Sequence, residues 1–281
     1  VMKINNHTVL LAGATGYIGR QVLQTLSRKG FKVVCIGRNV SRLNHELEFN
    51  VQNITFYNVD LLSNFGENFI RCKGKSYLAV ISCLGSKTGE FNDSWAVEYK
   101  ANKNLLRLAV EAKIPKFILL SAICLQKPRL EFQFAKLAFE KLLSDADLIH
   151  CIVRPTAFFK SLAGQFERLK KGKAFLIFDS GEITSCKPIS ASDLARYICN
   201  CIESKDYDNK ILPIGGPAPE ITPRGQAEIM FEILGKKPKY FSIPSQTFQL
   251  FRALLKPISL FSKKIASYRE FLKIAHYYAT E

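Results

Sequence analysis

Val9-Leu10-Leu11-Ala12-Gly13-Ala14-Thr15-Gly16-Tyr17-Ile18-Gly19 is the stretch that decides the fold. Val9 to Ala12 are consecutive apolar residues, the pattern of a strand buried on both faces of a parallel sheet. Gly13, Gly16 and Gly19 follow at three-residue spacing, and between Gln21 and Ser27 the apolar Val22, Leu23 and Leu26 share one helical face. Strand, glycine turn and helix in this order form a dinucleotide cradle. The first glycine permits the tight turn, and the second lets backbone N–H groups approach a pyrophosphate. The third lets helix and strand pack closely, with the positive helix N-terminus facing the phosphates. Gly13, Thr15, Gly16, Tyr17, Ile18 and Gly19 are therefore expected to hold the cofactor. The alternative is an ordinary strand-to-helix turn that binds nothing.

A second strand, Phe31 to Gly37, ends in Gly37-Arg38-Asn39, with Ser41 and Arg42 close behind. An NAD site places a carboxylate here for the ribose 2′-hydroxyl. This chain has a guanidinium instead, which suits a 2′-phosphate. NADPH is thus expected over NADH, with Arg38 as the phosphate partner; a merely solvated Arg38 is the alternative. Asp60, after the third strand Ile54 to Val59, is placed to accept from the adenine amino group or to cap the next turn.

Further apolar runs at Tyr77 to Leu84, Phe117 to Leu125, Leu148 to Val153 and Ile211 to Ile214 alternate with helical patterns at Asp93 to Ala112 and Glu131 to Leu143. The fold class is α/β, a Rossmann-type doubly wound parallel sheet with a small C-terminal helical cap. Residues 1–215 are expected to form the NADP-binding domain and 216–281 the cap on the substrate side. Thr222-Pro223 opens a cap helix running to about Leu234, and residues 246–278 are helical in pattern with a break at Pro257.

Composition narrows the function. Of 281 residues 47% are hydrophobic, enough for a sizeable core, and 40 Lys and Arg against 24 Asp and Glu give a net charge of +16. Such charge suits an anionic partner or reflects solubility. The basic residues are spread along the chain and form no recognisable binding module, so nucleic acid is not expected. The eight cysteines are scattered without C-x-x-C spacing and read as reduced thiols. The histidines at 7, 45, 150 and 276 show no paired ligand spacing, so no metal is expected. The longest apolar run is too short to span a bilayer. The chain begins with Val1 rather than Met and is expected to be a piece of a longer one.

The glycine spacing resembles that of the extended and atypical short-chain dehydrogenase/reductases over about the first 160 residues. In that superfamily a Tyr-x-x-x-Lys pair sits one turn apart on the helix after the fifth strand. Here the segment reads Phe132-Gln133-Phe134-Ala135-Lys136: the lysine is present and the tyrosine is Phe132. The superfamily's serine fits Ser121, and its helix-four asparagine position is Glu98. Phe132 has no proton to give, so the alcohol–ketone relay is broken. Lys136 is left to hold the nicotinamide ribose and supply positive charge, or to stand as a plain helix lysine. Some atypical members only sense NADP(H); others reduce carbon–carbon double bonds.

Longer blocks narrow the resemblance: Ser121 to Pro128, Leu130 to Leu137, Val153 to Gln165, Cys186 to Ser190, Leu212 to Pro217 and His276 to Glu281. Together they resemble the divinyl chlorophyllide a 8-vinyl-reductases, from about Val9 to the last residue. That resemblance implies NADPH and a flat tetrapyrrole, divinyl chlorophyllide a, bearing a propionate carboxylate. It implies catalytic roles for Lys136, Ser121 and, as a candidate proton donor, Tyr99, with Pro155 beside the cofactor. It implies a substrate pocket walled by Phe158 and Phe159 with Arg154, Lys160 and Lys187 as carboxylate partners; core packing is the alternative for the Phe pair. It implies a chloroplast in a eukaryote, or otherwise the cytoplasm of a photosynthetic bacterium. The rivals are an NmrA-like NADP(H) sensor and an isoflavone-reductase-like enzyme. The Phe-, Leu- and Lys-rich tail reads as a cap on the core or as a peripheral membrane surface.

Overall fold

The computed structural model describes residues 8–43, 52–63, 76–259 and 262–281. His7, His45 and Cys72 lie outside the described residues.

Seven strands form one parallel sheet: β1 (Thr8–Ala12), β2 (Lys32–Gly37), β3 (Ile54–Asn58), β4 (Tyr77–Ser82), β5 (Lys116–Leu120), β6 (Ile149–Pro155) and β8 (Lys210–Ile214). Their order is β3-β2-β1-β4-β5-β6-β8. The chain moves outward from β1 to β3, then restarts on the other side with β4. This reversal opens a crevice at the carboxyl ends of β1 and β4, where open α/β sheets bind ligands. Alternate residues of each strand feed two cores. Val9, Leu11, Cys35 and Ile81 meet α1 (Tyr17–Arg28) and, further along the chain, the helix Ala191–Glu203 on one face. Leu10, Ala12, Val80 and Phe117 meet the helical segments 91–111 (α2) and α3 (Glu131–Ser144) on the other. The helix Ala191–Glu203 is α4; Ser190 caps it by accepting from the Asp193 backbone N–H at 3.0 Å.

The expected strands are present, with shifted ends. The run Phe117 to Leu125 stops being a strand at Leu120. There the Gln133 side chain takes over the backbone, donating to the Cys124 carbonyl at 2.9 Å and accepting from the Leu130 N–H at 2.8 Å. A 3₁₀ turn, Ile123–Gln126, results. Pro155 pairs opposite Ile214 as the last residue of β6, a position where its missing N–H breaks no interior ladder.

Two strands escaped the sequence reading. β7 (Phe175–Phe178) and β9 (Tyr240–Ile243) pair in parallel as a separate two-stranded sheet. Four residues are too few to show a period, and the partners lie far apart in the chain. With α5 (Pro223–Ile233) they enclose a small core of Leu169, Phe175, Ile177, Ala227, Met230 and Phe231. The cap is therefore not purely helical, and its small sheet draws on residues from both sides of position 215.

The tail is a hairpin of α6 (Gln246–Ser259) and α7 (Lys263–Thr280). Pro257, expected to break the helix, lies inside α6 near its end. It is exposed, so the carbonyl that loses its partner one turn earlier is left to water. Phe248, Leu272 and Ala279 are buried, packing with Phe178. Leu250, Phe251, Leu254, Tyr268 and Phe271 are more than half exposed on the outer side. No helix among the described residues is long and apolar enough to cross a membrane.

Candidate active site

The glycine turn is built as the spacing requires. Gly13 adopts φ +83°, and a Cβ there would lie 2.5 Å from the Cys83 carbonyl oxygen at the end of β4. A Cβ on Gly19 would lie 2.0 Å from the Gly13 carbonyl oxygen, so only glycine lets α1 start this close to β1. Gly16 is the N-cap of α1; no side chain caps it, and the first turn carries no acidic residue. The positive end of the helix thus remains open to an anion, as a dinucleotide pyrophosphate requires. Thr15, Tyr17 and Ile18 follow from the same turn, with Ile18 buried and Tyr17 39% exposed.

At the end of β2, Arg38 is exposed. Next to it Asn58, which ends β3, donates to the Ser41 hydroxyl at 2.9 Å and accepts from the Ser41 N–H at 3.2 Å. Asp60 accepts from the Leu62 N–H at 2.9 Å, so one of its carboxylate oxygens caps the following turn.

The loop after β4 begins against the glycine turn, with Cys83 and Leu84 beside Gly13. Asp93 Oδ2 gathers the Lys87 and Thr88 N–H groups at 2.7 and 2.9 Å. Glu98 accepts from the Ser86 N–H at 2.8 Å, and its other oxygen lies 2.7 Å from Lys136 Nζ. Glu98 is 3% exposed and the Lys136 side chain 12%. Lys136 is therefore not a plain surface lysine. Phe132, one turn earlier on α3, lies within van der Waals reach of the Gly89 position, where Ile274 of α7 also packs. Burial pushes the Cys83 thiol up to about 12 despite the nearby Lys136 charge, so it stays protonated at neutral pH.

Ser121, Arg154 and Glu140 form a closed group. Ser121 donates to Glu140 Oε1 at 2.5 Å, and Arg154 binds the same carboxylate through Nε at 3.1 Å and through Nη2. Arg154, expected as a substrate partner, has two of its donors held by a buried carboxylate. The Ser121 hydroxyl, expected near the reacting atoms, points to Glu140 and not toward Lys136. Tyr99, the candidate proton donor, lies among aromatic and basic neighbours of its own helix. It stacks edge-on with Trp95 at 5.8 Å and lies under Lys103 at 6.0 Å. It also packs, half-buried, against the second core, whereas Glu98 and Asn102 are fully buried.

Past β6 the Phe pair splits. Phe158 packs on the core and lies 6.2 Å from the Tyr17 ring, whereas Phe159 is 52% exposed. Lys160 Nζ stands 4.8 Å over the Tyr17 ring. Phe158, Lys160 and the glycine turn thus meet at one end of the crevice. Lys187 is exposed, and its carbonyl accepts from the Gly216 N–H at 3.1 Å and from the Thr156 hydroxyl. Next along the chain, Ser161, Leu162 and Gln165 border a cavity of about 330 Å³, closed by Phe178, Ile183 and, from α7, Ala275, Tyr278 and Ala279. A second hollow, of about 340 Å³, lies beside Thr8, Lys32 and Ser76 at the amino ends of the strands, the wrong edge of the sheet for a nucleotide. Among the described residues no group of His, Cys, Asp or Glu could hold a metal ion.

The Glu98 contacts escaped the sequence reading, which saw Glu98 only as a departure from asparagine. A carboxylate at a position expected to be neutral, one helix away from an unpartnered lysine, was the available signal.

The chain is similar to known proteins. The family described as NAD(P)H-binding matches residues 13–205. The chain is 41% identical over 289 residues to the chloroplastic divinyl chlorophyllide a 8-vinyl-reductase of Arabidopsis thaliana, covering 97% of this chain and 68% of that protein. It is 41% identical to the protein of the same name from Cucumis sativus, covering 97% and 68%. Among solved structures, a nucleoside-diphosphate-sugar epimerase from Staphylococcus aureus superposes with a TM-score of 0.72 at 17% identity, covering 97% of this chain and 90% of that one, a likeness of fold.

Proposed function

This chain belongs to the divinyl chlorophyllide a 8-vinyl-reductases, and from that membership we propose how its residues divide the work. The enzyme is an oxidoreductase of chlorophyll biosynthesis that converts the 8-vinyl group of its tetrapyrrole to ethyl. A nicotinamide cofactor, when bound, supplies the hydride. The open N-terminus of α1 and the three glycines hold its pyrophosphate, and Arg38 selects NADPH by pairing with the 2′-phosphate. Lys136 faces the nicotinamide ribose. Phe159 offers an apolar wall, and Lys160 and Lys187 offer cations for the propionate. Arg154 has no such part, because its guanidinium belongs to Glu140.

The observation that carries this reading is the pairing of an intact dinucleotide cradle with Phe132 in place of the tyrosine. Hydride delivery to a vinyl group conjugated with a macrocycle gives a delocalised anion and needs no phenol to protonate an alkoxide. The test mixes pure protein, NADPH and divinyl chlorophyllide a. A blue shift of the Soret band with NADPH consumption is expected; NADPH binding without turnover would instead support a sensor.

The outer face of the tail hairpin supports peripheral contact with an anionic membrane. Its exposed Leu250, Phe251, Leu254 and Phe271 accompany six basic residues against two acidic ones in 246–281. Leu254→Glu with Phe271→Glu is expected to abolish co-sedimentation with anionic vesicles while leaving the soluble fold intact; undiminished co-sedimentation would remove the proposal. In a eukaryote the chloroplast is the compartment that suits this substrate; in a photosynthetic bacterium it is the cytoplasm.

A further inference from the structure

We infer that Glu98 is the positioning residue of this site: one buried carboxylate fixes both the Lys136 ammonium and the backbone of the loop after β4. The inference rests on the reading of Lys136 as a cofactor contact. Glu98 Oε2 is 2.7 Å from Lys136 Nζ, and Oε1 accepts from the Ser86 N–H at 2.8 Å. A Cβ on Gly85 would lie 3.9 Å from Oε1, so the carboxylate sits directly beneath this loop.

Glu98 is brought to this place by an irregular helix. Trp95–Ala101 is wound as a π-helix between α-helical Phe91–Ser94 and Asn102–Glu111. A π turn leaves carbonyls without their usual partners, and its occurrence often marks a functional site. Here the Asn102 side chain repairs them, donating to the Val97 carbonyl at 3.2 Å and the Glu98 carbonyl at 3.0 Å. Ser82, the last residue of β4, donates to Asn102 Oδ1 at 2.5 Å. The sheet, the π segment and Glu98 are thereby tied together.

A buried ion pair is poor evidence for stability, because desolvation of both charges offsets their attraction and an apolar pair often serves as well. Its function here is geometric. Without the superfamily's tyrosine, nothing on the turn before Lys136 orients the ammonium, since Phe132 has no polar atom. Glu98 does so from the opposite helix, and the same contact sets the height of the loop over the nicotinamide end of the crevice.

The test is a double-mutant cycle on NADPH affinity, read by quenching of Trp95, the single tryptophan of the chain, three residues from Glu98. It uses the full chain without tetrapyrrole. Glu98→Gln keeps an acceptor for Ser86 but removes the charge, and is expected to raise the NADPH Kd about tenfold. Lys136→Met should do the same, and the double variant should be no weaker than Lys136→Met alone, because Glu98 acts through the lysine. An unchanged Kd in Glu98→Gln overturns the inference, as do penalties that multiply in the double variant. Should Glu98→Gln not fold, Glu98→Asp keeps the charge one methylene short of both partners; it too must raise the Kd, and an unchanged value overturns the inference. Turnover of the wild-type protein on divinyl chlorophyllide a is scored separately. NADPH binding without turnover would defeat the reductase reading and leave the role of Glu98 standing.

Discussion

Gly19 and Arg38 carry the most information per residue. The spacing of the glycines announced a turn, but the reason for the third became a distance only in the structure, 2.0 Å from a would-be Cβ to the Gly13 carbonyl oxygen. Gly19→Ala should therefore destabilise the protein by about 1–3 kcal/mol through forced displacement of the turn. It should also abolish NADPH binding, both measurable in one ligand-dependent melting series. Arg38 is exposed at the end of β2 with no carboxylate at the strand end. Arg38→Asp is expected to weaken NADPH by about tenfold or more while improving NADH. Paired Kd measurements check this, and an unaltered ratio would assign the phosphate to another residue. Gly19 was legible in advance because backbone clearance constrains residue type locally; at the end of β2 the sequence alone shows a guanidinium and no carboxylate. Ser121, Tyr99 and Arg154 were not legible, because the direction of each side chain depends on a partner elsewhere in the chain. No spacing rule pairs Ser121 and Arg154 with Glu140, or turns Tyr99 toward Trp95.

Helix α3 shows what an element adds. Along one side it presents Lys136 to Glu98, and one turn later it presents Glu140 to Ser121 and Arg154. Two buried ion pairs thus bind one helix to its neighbours, the first across to α2 and the second to the ends of β5 and β6. Arg154→Met leaves Glu140 as a buried charge with Ser121 as its remaining partner, and should cost about 3–5 kcal/mol. Adding Glu140→Leu should recover most of that loss. Denaturant midpoints of the two variants decide the point, and equal destabilisation in both would show that a stranded Glu140 charge is not the cause of the loss. The helix itself was legible from residue 131 onward, whereas its partners were not. The π segment was hidden for a related reason: its extra residue per turn leaves the apolar pattern of 91–111 readable as one ordinary helix.

Stability of the whole molecule should peak over a limited pH range. Burial holds His150 below its unfolded value of 6.5, so the unfolded chain takes up that proton first and stability falls as pH drops below about 6.5. Burial pushes the Cys83 and Cys199 thiols up to about 12 from 9.0. The unfolded chain then releases protons that the folded chain keeps, and stability declines as pH rises above about 9. Urea midpoints between pH 5 and 11 should trace a plateau from about 7 to 8.5; a profile still rising at pH 10 would contradict it. At this scale the large sheet was legible, because each strand is an apolar run between helical patterns. The small sheet was not, because its two short strands come together only once the large sheet has placed them.

That small sheet has a consequence for how the molecule can come apart. The chain leaves the large sheet after β6, forms β7, returns for α4 and β8, and leaves again for α5 and β9. Among the described residues β7 and β9 have only each other as strand partners. A peptide bond cleaved near residue 215 would therefore free no self-sufficient piece. The first fragment would keep Leu169, Phe175 and Ile177 with nothing to cover them, and the second would keep Ala227, Met230 and Phe231 in the same state. The nicked halves would remain interlocked, and the cap is held to the nucleotide layer by three crossings of the chain, after β6, before α4 and after β8, rather than by a single tether.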